Sequence, residues 1–318
     1  MASQPPVRIG TRASKLALVQ AGMMQRAIAA ALGASAADAE QVAPLIRIST
    51  SGDRIQDRRL LEVGGKGLFT KEIEEALLDG RIDCAVHSLK DMPAELPAGL
   101  CIAAIPERED PRDAFVSDRF DTLDAMDQGA RLGTASLRRA AQCLHRRPDL
   151  RIVMLRGNVD TRLAKLARGE ADAILLAVAG LNRLGLGHLP RSLIDPVEAP
   201  PAPGQGALAI ETRETDRDAP WLAALRHRPT MLAVAAERGA LAALEGSCKT
   251  AIGAHATLDG DRLSLVVEAL TPDGSRRFRR FGQVDVGGDA GEADARSLGQ
   301  RLGEEVRAEG GEALVLPD

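Results

Sequence analysis

Short apolar runs alternate with amphipathic segments along the first third of the chain. The apolar runs predict strands near residues 7–9 and 45–49, and the segments "CAVHS" and "LCIAAI" are typical of buried strands. Helical periodicity predicts helices at about residues 14–31 and near residues 70–78. This alternation of strands and helices favours an α/β domain with a parallel or mixed sheet.

The same alternation restarts after residues 105–115, "IPEREDPRDAF", where two prolines and a charge cluster interrupt the pattern. The segments "RLGTA", "RIVMLR" and "ADAILLAV" predict strands, with helices at 137–147 and near 159–167. Prolines in "PVEAPPAPGQGALAIE" mark a second crossing point, and a strand at 207–211 could add back to the first sheet. The pattern therefore predicts a second α/β domain and a discontinuous first domain.

From about residue 229 the pattern changes. A long Ala-rich helix leads to the loop "EGSCKT", to strands "RLSLVVEAL" and "SRRFRRFGQV", and to a helix at about 290–309, with "LDGD" and "TPDGS" as hairpin turns. We expect an α/β first domain of residues 1–105 and 204–224, an α/β second domain of residues 106–203, and an α+β third domain of residues 225–318.

Composition narrows the class of protein. The chain has 318 residues, 45% of them hydrophobic and 27% charged, as expected of a globular protein. Its formal net charge of −4 argues against a general nucleic-acid binder, and the 2% aromatic content removes stacking platforms for single strands. No apolar run approaches the roughly 18 residues of a membrane helix, and "MASQPPVRIG" lacks a signal-peptide core, so we expect a cytoplasmic protein.

The four cysteines have no CxxC spacing, which argues against a disulfide framework or a zinc ribbon. Cys84 and Cys101 lie in strand-like runs and Cys143 in a helical run, so we expect small buried hydrophobic residues there. Cys248, in "LEGSCKTAIG", has no second cysteine or histidine nearby, so neither a metal site nor a redox pair explains it. No metal is indicated.

Three junctions between a strand and a helix combine a potential cap with arginine. "GTRASKLA" contains Arg12, "GTASLRRA" contains Arg138 and Arg139, and "LRGNVDTRL" contains Arg156 and Arg162. Helix N-termini and guanidinium groups both attract carboxylates and phosphates, and ligands of open α/β sheets bind beyond the carboxyl ends of strands. The junctions therefore predict anion sites, although any single arginine is more often a solvated surface residue. The first two junctions also echo each other as a possible internal repeat.

Two further segments carry candidate chemistry. In "VHSLKDMP" a strand runs directly into Lys90 and Asp91, which could form a structural ion pair or place a carboxylate that stabilises a developing cation. His87 is better explained as a satisfied core histidine. "EVGGKGLFTKEIEEAL" lacks the GxxxxGK[ST] spacing, so we interpret it as a polar lid with Lys66 able to reach an anion.

Together the motifs resemble the porphobilinogen deaminase (hydroxymethylbilane synthase) family over nearly the whole chain. They occur in family order: "RIGTRASKLALVQA", "GGKGLFTKEIEEALL", "DCAVHSLKDMP", "REDPRDAFVS", "GTASLRRAAQ", "RRPDLRIVMLRGNVDTRL", "LAVAGLNRLGL", "PGQGALAIE" and "LEGSCKTAIGA". The resemblance implies two periplasmic-binding-protein-like α/β domains around a cleft and a smaller C-terminal α+β domain. It also implies a dipyrromethane cofactor attached to Cys248 through a thioether, which explains a lone cysteine.

The implied reaction joins four porphobilinogen molecules head to tail with loss of ammonia, and water releases hydroxymethylbilane. Asp91 matches the family's catalytic aspartate. The resemblance implies cofactor-binding roles for Cys248, Lys90, Asp91, Thr134, Ser136, Arg138, Arg139 and Gly246. It implies substrate-binding roles for Arg12, Ser14, Phe69, Arg156, Arg162, Arg183, Gln205 and Lys66. Ala135 stands where the family often has a serine, which removes one hydroxyl donor.

Other functions explain less of the sequence. A non-enzymatic binding protein for a polyanionic small molecule would use the arginine junctions but would not require Cys248, Asp91 or a third domain. A cysteine-dependent acyl transferase would need a base beside the thiol, and no histidine motif suggests one. We therefore expect a cytoplasmic, monomeric transferase of tetrapyrrole biosynthesis, with a small-molecule substrate and neither nucleic acid nor membrane as partner.

Overall fold

The computed structural model describes residues 5–54, 68–244 and 250–314. Its α-helices are Lys15–Ala31 (α1), Ala39–Val42 (α2), Ser51–Arg54 (α3), Lys71–Leu78 (α4), Leu137–Arg146 (α5), Val159–Ala167 (α6), Val178–Arg183 (α7), Arg228–Ala243 (α8) and Gly291–Gly310 (α9). Its strands are Ile9–Thr11 (β1), Leu45–Arg47 (β2), Cys84–Ser88 (β3), Leu100–Ala104 (β4), Asp113–Val116 (β5), Arg131–Gly133 (β6), Arg151–Val153 (β7), Ala173–Ala177 (β8), Ser192–Leu193 (β9), Leu208–Arg213 (β10), Ala251–Asp259 (β11), Arg262–Leu270 (β12) and Arg277–Asp285 (β13).

The chain divides into two compact units. Unit 1 comprises Met1–Glu109 and Ala207–Met231, and unit 2 comprises Asp110–Gly206 and Leu232–Asp318. The chain therefore passes from one unit to the other three times. The division into three domains, with the boundaries given above, stays a prediction.

Unit 1 is built on a five-stranded mixed sheet with the order β2-β1-β3-β10-β4. β1 is parallel to both β2 and β3, whereas β10 runs antiparallel between β3 and β4. The return of a late strand to the first sheet is therefore confirmed. Helix α1 covers the sheet with Ala21, Met24 and Ile28, which recur at helical spacing and are buried with the strand residues Ile9 and Ile210.

Unit 2 contains a second five-stranded sheet with the order β7-β6-β8-β5-β9. β6 is parallel to β7 and β8, and β5 is antiparallel to β8 and β9. This arrangement repeats that of unit 1, with β6 in the place of β1, so the topology supports the echo between "GTRASKLA" and "GTASLRRA". Strand β5 was not predicted, because it begins at Asp113, inside the proline- and charge-rich segment 105–115 that interrupts the pattern.

The C-terminal part of unit 2 is an antiparallel sheet with the order β11-β12-β13, and helices α8 and α9 share its core. Strands β12 and β13 and both hairpin turns match the prediction, and Gly260 and Gly274 take the left-handed conformation that the turns require. Strand β11 was missed, although its apolar face packs in the core, because it directly follows the polar loop that contains Cys248.

Burial differs among Cys84, Cys101 and Cys143, all three of which were predicted to be buried. Cys84 and Cys143 are buried as expected, and burial raises the pKa of the Cys143 thiol to about 12. Cys101 is only half-buried at the edge of the unit 1 core, with its Sγ 3.6 Å from Thr212 Oγ1, so that prediction was too strong. Cys248 lies outside the described residues. Within the described part of the chain, no helix is long and apolar enough to cross a membrane.

Candidate active site

In unit 1, four of the predicted site residues follow the carboxyl ends of two neighbouring parallel strands. β1 ends at Thr11 and is followed by Arg12 and Ser14, and β3 ends at Ser88 and is followed by Lys90 and Asp91. Because β1 and β3 pair in parallel, both sets leave the sheet at the same edge. The packing of unit 1 thus brings together residues that lie far apart in sequence.

Local contacts orient the first of these sets. The half-buried guanidinium of Arg12 lies over the ring of Phe69, with its central carbon 4.2 Å from the ring centroid. The hydroxyl oxygen of Ser14 caps α1 by accepting a hydrogen bond from the N–H of Ala17 at 3.3 Å. The ring of Phe69 therefore helps to hold the guanidinium of Arg12 in place, and Ser14 caps the N-terminus of α1.

Lys90 and Asp91 lie on a single 3₁₀ turn, Leu89–Asp91, directly after β3. Leu89 is buried and its N–H donates to the carbonyl of Ala207 at 3.1 Å, which anchors the turn to the chain entering β10. Lys90 is half-buried and Asp91 is exposed. The turn therefore holds a carboxylate at the sheet edge, next to a cation, and open to solvent.

His87, in the middle of β3, is a core histidine as predicted. It is buried, and its Nε2 lies 2.8 Å from Glu211 Oε2 on β10, which is itself fully buried. Such a pair satisfies the ring nitrogen inside the sheet. His87 consequently belongs to the support of the edge and not to its exposed surface.

In unit 2, predicted site residues again follow the carboxyl ends of parallel strands. β6 is followed by Thr134 and Ser136, β7 by Arg156, and β8 by helix α7, which ends at Arg183. The Thr134 hydroxyl oxygen accepts a hydrogen bond from the N–H of Ser136 at 3.1 Å, and Ser136 in turn caps α5. As β7, β6 and β8 are neighbours, these residues share one edge of the second sheet.

Arg138 and Arg139 are placed differently from what the anion-site prediction suggests. Both are buried on α5 and surround the buried carboxylate of Asp113, at 2.8 Å from Arg138 Nη2 and 2.6 Å from Arg139 Nη2. Burial by itself would raise the pKa of Asp113, but the two arginines outweigh it and hold that pKa well below its usual range. The arginines therefore stabilise the fold of unit 2 through Asp113.

Gln205 joins the same cluster. Its buried side-chain amide donates to Asp113 Oδ1 and to the carbonyl of Pro111, both at 2.8 Å. Asp113 and Gln205 lie just after and just before two of the points where the chain passes between the units. The cluster thus ties those two segments together within unit 2, a role that sequence reasoning did not anticipate for Gln205.

Among the guanidinium nitrogens of this unit that are buried without a hydrogen-bond acceptor in the described residues are Arg138 Nε and Arg156 Nη1. A buried donor of this kind costs free energy unless an acceptor is supplied. Carboxylate oxygens are suitable acceptors for guanidinium N–H groups. These two positions therefore fit a ligand that carries carboxylates.

The remaining predicted residues are Arg162, Lys66, Gly246 and Cys248. Arg162 is half-buried in the first turn of α6, where Asn158 caps the helix by accepting from the N–H of Thr161 at 2.8 Å. Lys66, Gly246 and Cys248, and most of the predicted lid, lie outside the described residues. Their predicted roles stay predictions.

A separate cavity of about 430 Å³ lies elsewhere in unit 2. Gln142 and Glu268 line it together with Arg146, Arg277 and Arg279, and no predicted site residue does so. Over residues 5–54, 68–244 and 250–314, no group of three or more His, Cys, Asp or Glu side chains could hold a metal ion.

Comparisons with known families and proteins agree with each other. Residues 7–220 match the family model "Porphobilinogen deaminase, dipyromethane cofactor binding domain", and residues 231–308 match "Porphobilinogen deaminase, C-terminal domain". The porphobilinogen deaminase of Caulobacter vibrioides (strain NA1000 / CB15N) is 70% identical over 322 residues, which cover 100% of both chains. That of Phenylobacterium zucineum (strain HLK1) is 70% identical over 320 residues, covering 99% of this chain and 100% of the relative.

Similar solved structures are more distant. The match to the methionine-binding protein MetQ covers 70% of this chain and 91% of MetQ, with 14% identity and a TM-score of 0.44. The match to a periplasmic substrate-binding protein of an ABC transporter from Coxiella burnetii covers 73% of this chain and 96% of that protein, with 18% identity and a TM-score of 0.41. The fold assignment rests on the strand orders above and on the family.

Proposed function

Because this chain belongs to the porphobilinogen deaminase family, we propose that it joins four porphobilinogen molecules head to tail, with loss of ammonia, into hydroxymethylbilane. It is a transferase of tetrapyrrole biosynthesis. The observation that carries this conclusion is the 70% identity to porphobilinogen deaminases along the whole of both chains. The comparisons support this function and not a non-enzymatic binding protein.

The chain has the donors that the family's dipyrromethane cofactor needs. Residues 7–220 match the domain that binds it, and the buried Arg138 Nε and Arg156 Nη1 lack acceptors that carboxylates would supply. We infer that Cys248 holds the cofactor through a thioether. Around it we place Lys90, Asp91, Thr134, Ser136, Arg138, Arg139 and Gly246. When bound, the cofactor supplies the pyrrole to which the first substrate molecule is joined.

Asp91 is the residue to which we assign the chemistry. Its carboxylate stands exposed at the end of β3, where the Leu89–Asp91 turn fixes it beside Lys90. Departure of ammonia leaves positive charge on a pyrrole, and a fixed carboxylate near the ring nitrogen lowers the energy of that state. Asp91 is also suitably exposed to exchange a proton with a ring N–H.

The arginines account for substrate binding. Each porphobilinogen carries an acetate and a propionate, and guanidinium groups bind carboxylates through two parallel hydrogen bonds. Arg12, steadied by Phe69, serves the edge of unit 1, and Arg156 serves the edge of unit 2. The substrate-binding set that we propose is Arg12, Ser14, Lys66, Phe69, Arg156, Arg162, Arg183 and Gln205.

The contacts of Gln205 and Arg183 give them a second role. Arg183 Nη2 donates to the carbonyl of Gly206 at 2.7 Å, and Gln205 donates to Asp113. Both side chains thus hold the segment where the chain leaves unit 2. In the proposed enzyme they position this segment as well as contact substrate.

We also propose that the enzyme is a cytoplasmic monomer that acts on a small molecule, without nucleic acid or membrane as partner.

The intact mass of the purified protein tests this proposal. Wild type should exceed its sequence mass by two linked pyrroles and should form hydroxymethylbilane from porphobilinogen. Cys248→Ser should have the unmodified mass and no activity, because the attachment sulfur is gone. Cys101→Ser is the matched control, since Cys101 is the half-buried cysteine of β4, and it should keep the mass excess. Unmodified wild type that gains no adduct with porphobilinogen would contradict the function.

A further inference from the structure

The side chain of Gln142 connects three parts of unit 2. Its Oε1 accepts a hydrogen bond from Arg138 Nη1 at 2.8 Å, one turn earlier on α5. Its Nε2 donates to the carbonyl of Pro200 at 2.9 Å and to Glu268 Oε1 on β12 at 2.7 Å. One amide therefore joins the helix, the proline-rich segment and the C-terminal sheet.

Glu268 depends on this amide. It is fully buried, and burial raises its pKa. Gln142 is its hydrogen-bond donor among the described residues, since Oε2 has no hydrogen bond and the nearest cation, Arg279, is 3.6 Å away. Removing the amide would leave a buried carboxyl group without a donor, which is costly.

Close packing accompanies these bonds. Ala141, next to Gln142 on α5, is buried against Ala251 of β11 and Leu270 of β12. The turn between β12 and β13 lies so close that a methyl group on Gly274 would be 2.5 Å from the carbonyl oxygen of Ala141. Helix α5 consequently has one register on the C-terminal sheet.

The register of α5 on the C-terminal sheet matters for the reaction, because the helix and strand β11 both lie close in sequence to residues assigned to cofactor binding. The N-terminus of α5 is preceded by Thr134 and Ser136 and bears Arg138, all assigned above to cofactor binding. Strand β11 begins at Ala251, three positions after Cys248 in the chain. The contact of α5 with this sheet therefore sets where the helix stands relative to the strand that follows the attachment residue.

We propose that Gln142 is a positioning residue, which holds Arg138 and the start of α5 in register with the strand that follows Cys248. The inference rests on the proposed function. Gln142 acts through Arg138 and through the helix, whose N-terminal groups must meet a cofactor that is tethered at one point. A shift of α5 along the sheet would misplace these groups while leaving the substrate-binding edge of unit 1 unchanged.

The first test is Gln142→Met in the full chain, which keeps the side-chain length and removes the amide. The variant should lose about tenfold in kcat per cofactor-bearing chain, as expected for a lost hydrogen bond to a charged group. KM should stay within about twofold, because the substrate-binding arginines remain. The matched control is Gln300→Met, at an exposed position of α9, which should keep wild-type kcat.

A charge-swapped pair separates positioning from stability. Gln142→Glu alone puts two carboxyl groups together and should lower kcat further. Adding Glu268→Gln restores a donor opposite an acceptor, so kcat should recover at least tenfold over Gln142→Glu. This pair also keeps the test available if Gln142→Met does not fold. Melting temperatures measured alongside show whether kcat merely follows stability.

Two outcomes would overturn the inference. One is a folded Gln142→Met protein with the kcat and cofactor mass of wild type. The other is a double variant that regains the melting temperature of wild type but not its kcat, because a restored register should restore turnover. Wild type that lacks the cofactor mass and activity would instead refute the proposed function, so the two failures are distinguishable.

Discussion

Single side chains at the edges of the two sheets are used in two different ways. Asp91 is exposed on a turn whose backbone is anchored by Leu89, so its carboxylate is available to a ligand. Arg138 and Arg139 are buried, and most of their donors go to Asp113 and to carbonyl groups. The exposed group is suited to chemistry, and the buried pair is suited to holding a helix in place.

Asp91→Asn should lower kcat by about 10²-fold or more, because an amide of the same shape cannot stabilise a cation as a carboxylate does. The measurement is kcat per chain carrying the two-pyrrole mass, so that any loss of cofactor is counted separately. Asp118→Asn, at another exposed aspartate, is the control and should keep wild-type kcat. An Asp91→Asn enzyme within twofold of wild type would rule out the catalytic assignment.

At the scale of elements, glycine residues on α9 allow helices α8 and α9 to pack closely. A methyl group on Gly299 of α9 would overlap the carbonyl oxygen of Ala236 on α8, and one on Gly303 would lie 2.7 Å from the Cβ of Ala243. The backbones of the two helices therefore approach more closely than larger side chains allow. Their apolar residues share one core with the C-terminal sheet, so this approach supports the whole of that region.

The same substitution should have opposite effects at two helical glycines. Gly299→Ala should lower the free energy of unfolding by about 1–3 kcal/mol, since the helices must separate. Gly22→Ala on α1 should raise it by up to about 1 kcal/mol, because alanine favours the helix and the nearest atom, Arg26 Nη1, is 3.6 Å away. Urea unfolding of both variants is the measurement. A neutral Gly299→Ala would show that the helices are not closely packed there.

At the scale of the whole molecule, buried and paired carboxyl groups decide how stability depends on pH. Arg138 and Arg139 lower the pKa of Asp113 against the effect of burial, and Arg8 does the same for Asp83. Groups of this kind stabilise the fold above their unfolded pKa of about 4, and the contribution is lost as the pH falls through the folded pKa.

The pKa values of Glu74 and Glu268 are shifted in the opposite direction, because burial raises the pKa of each. Their contribution to stability is present below the unfolded pKa and is lost as the pH rises through the folded pKa. On acidification from neutral pH, their protonation favours the folded state before the paired aspartates begin to lose their charge. The two kinds of group together favour a stability maximum between the two ranges.

Unfolding by urea at a series of pH values should therefore show a shallow maximum near about pH 5 and a steep loss below about pH 4. Asp113→Asn should be less stable than wild type by about 3–5 kcal/mol at pH 7, as two buried arginines lose their partner. Its acid limb should be shallower, since one of the titrating groups is gone. An unchanged acid limb in Asp113→Asn, with Asp118→Asn as reference, would contradict the low pKa of Asp113.

Local patterns in the sequence determined most of the elements and the family. The spacing of apolar residues in α1, the cap at Ser14 and the glycine turns act over a few residues, so they can be read without knowing what packs against them. The order of the motifs likewise suffices to indicate porphobilinogen deaminase. Strands β5 and β11 were missed because charged or polar neighbours masked short apolar runs.

Tertiary structure alone decided which polar groups meet. Asp113 pairs with Arg138 and Arg139, 25 and 26 positions away, and with Gln205, 92 positions away. Gln142 meets Glu268 across 126 positions. The physical reason is that periodicity and capping are short-range, whereas buried polar groups pair with whatever the packed sheets and helices bring to them. An arginine after a strand therefore predicts an anion, but only the fold determines whether that anion is a ligand or a buried aspartate.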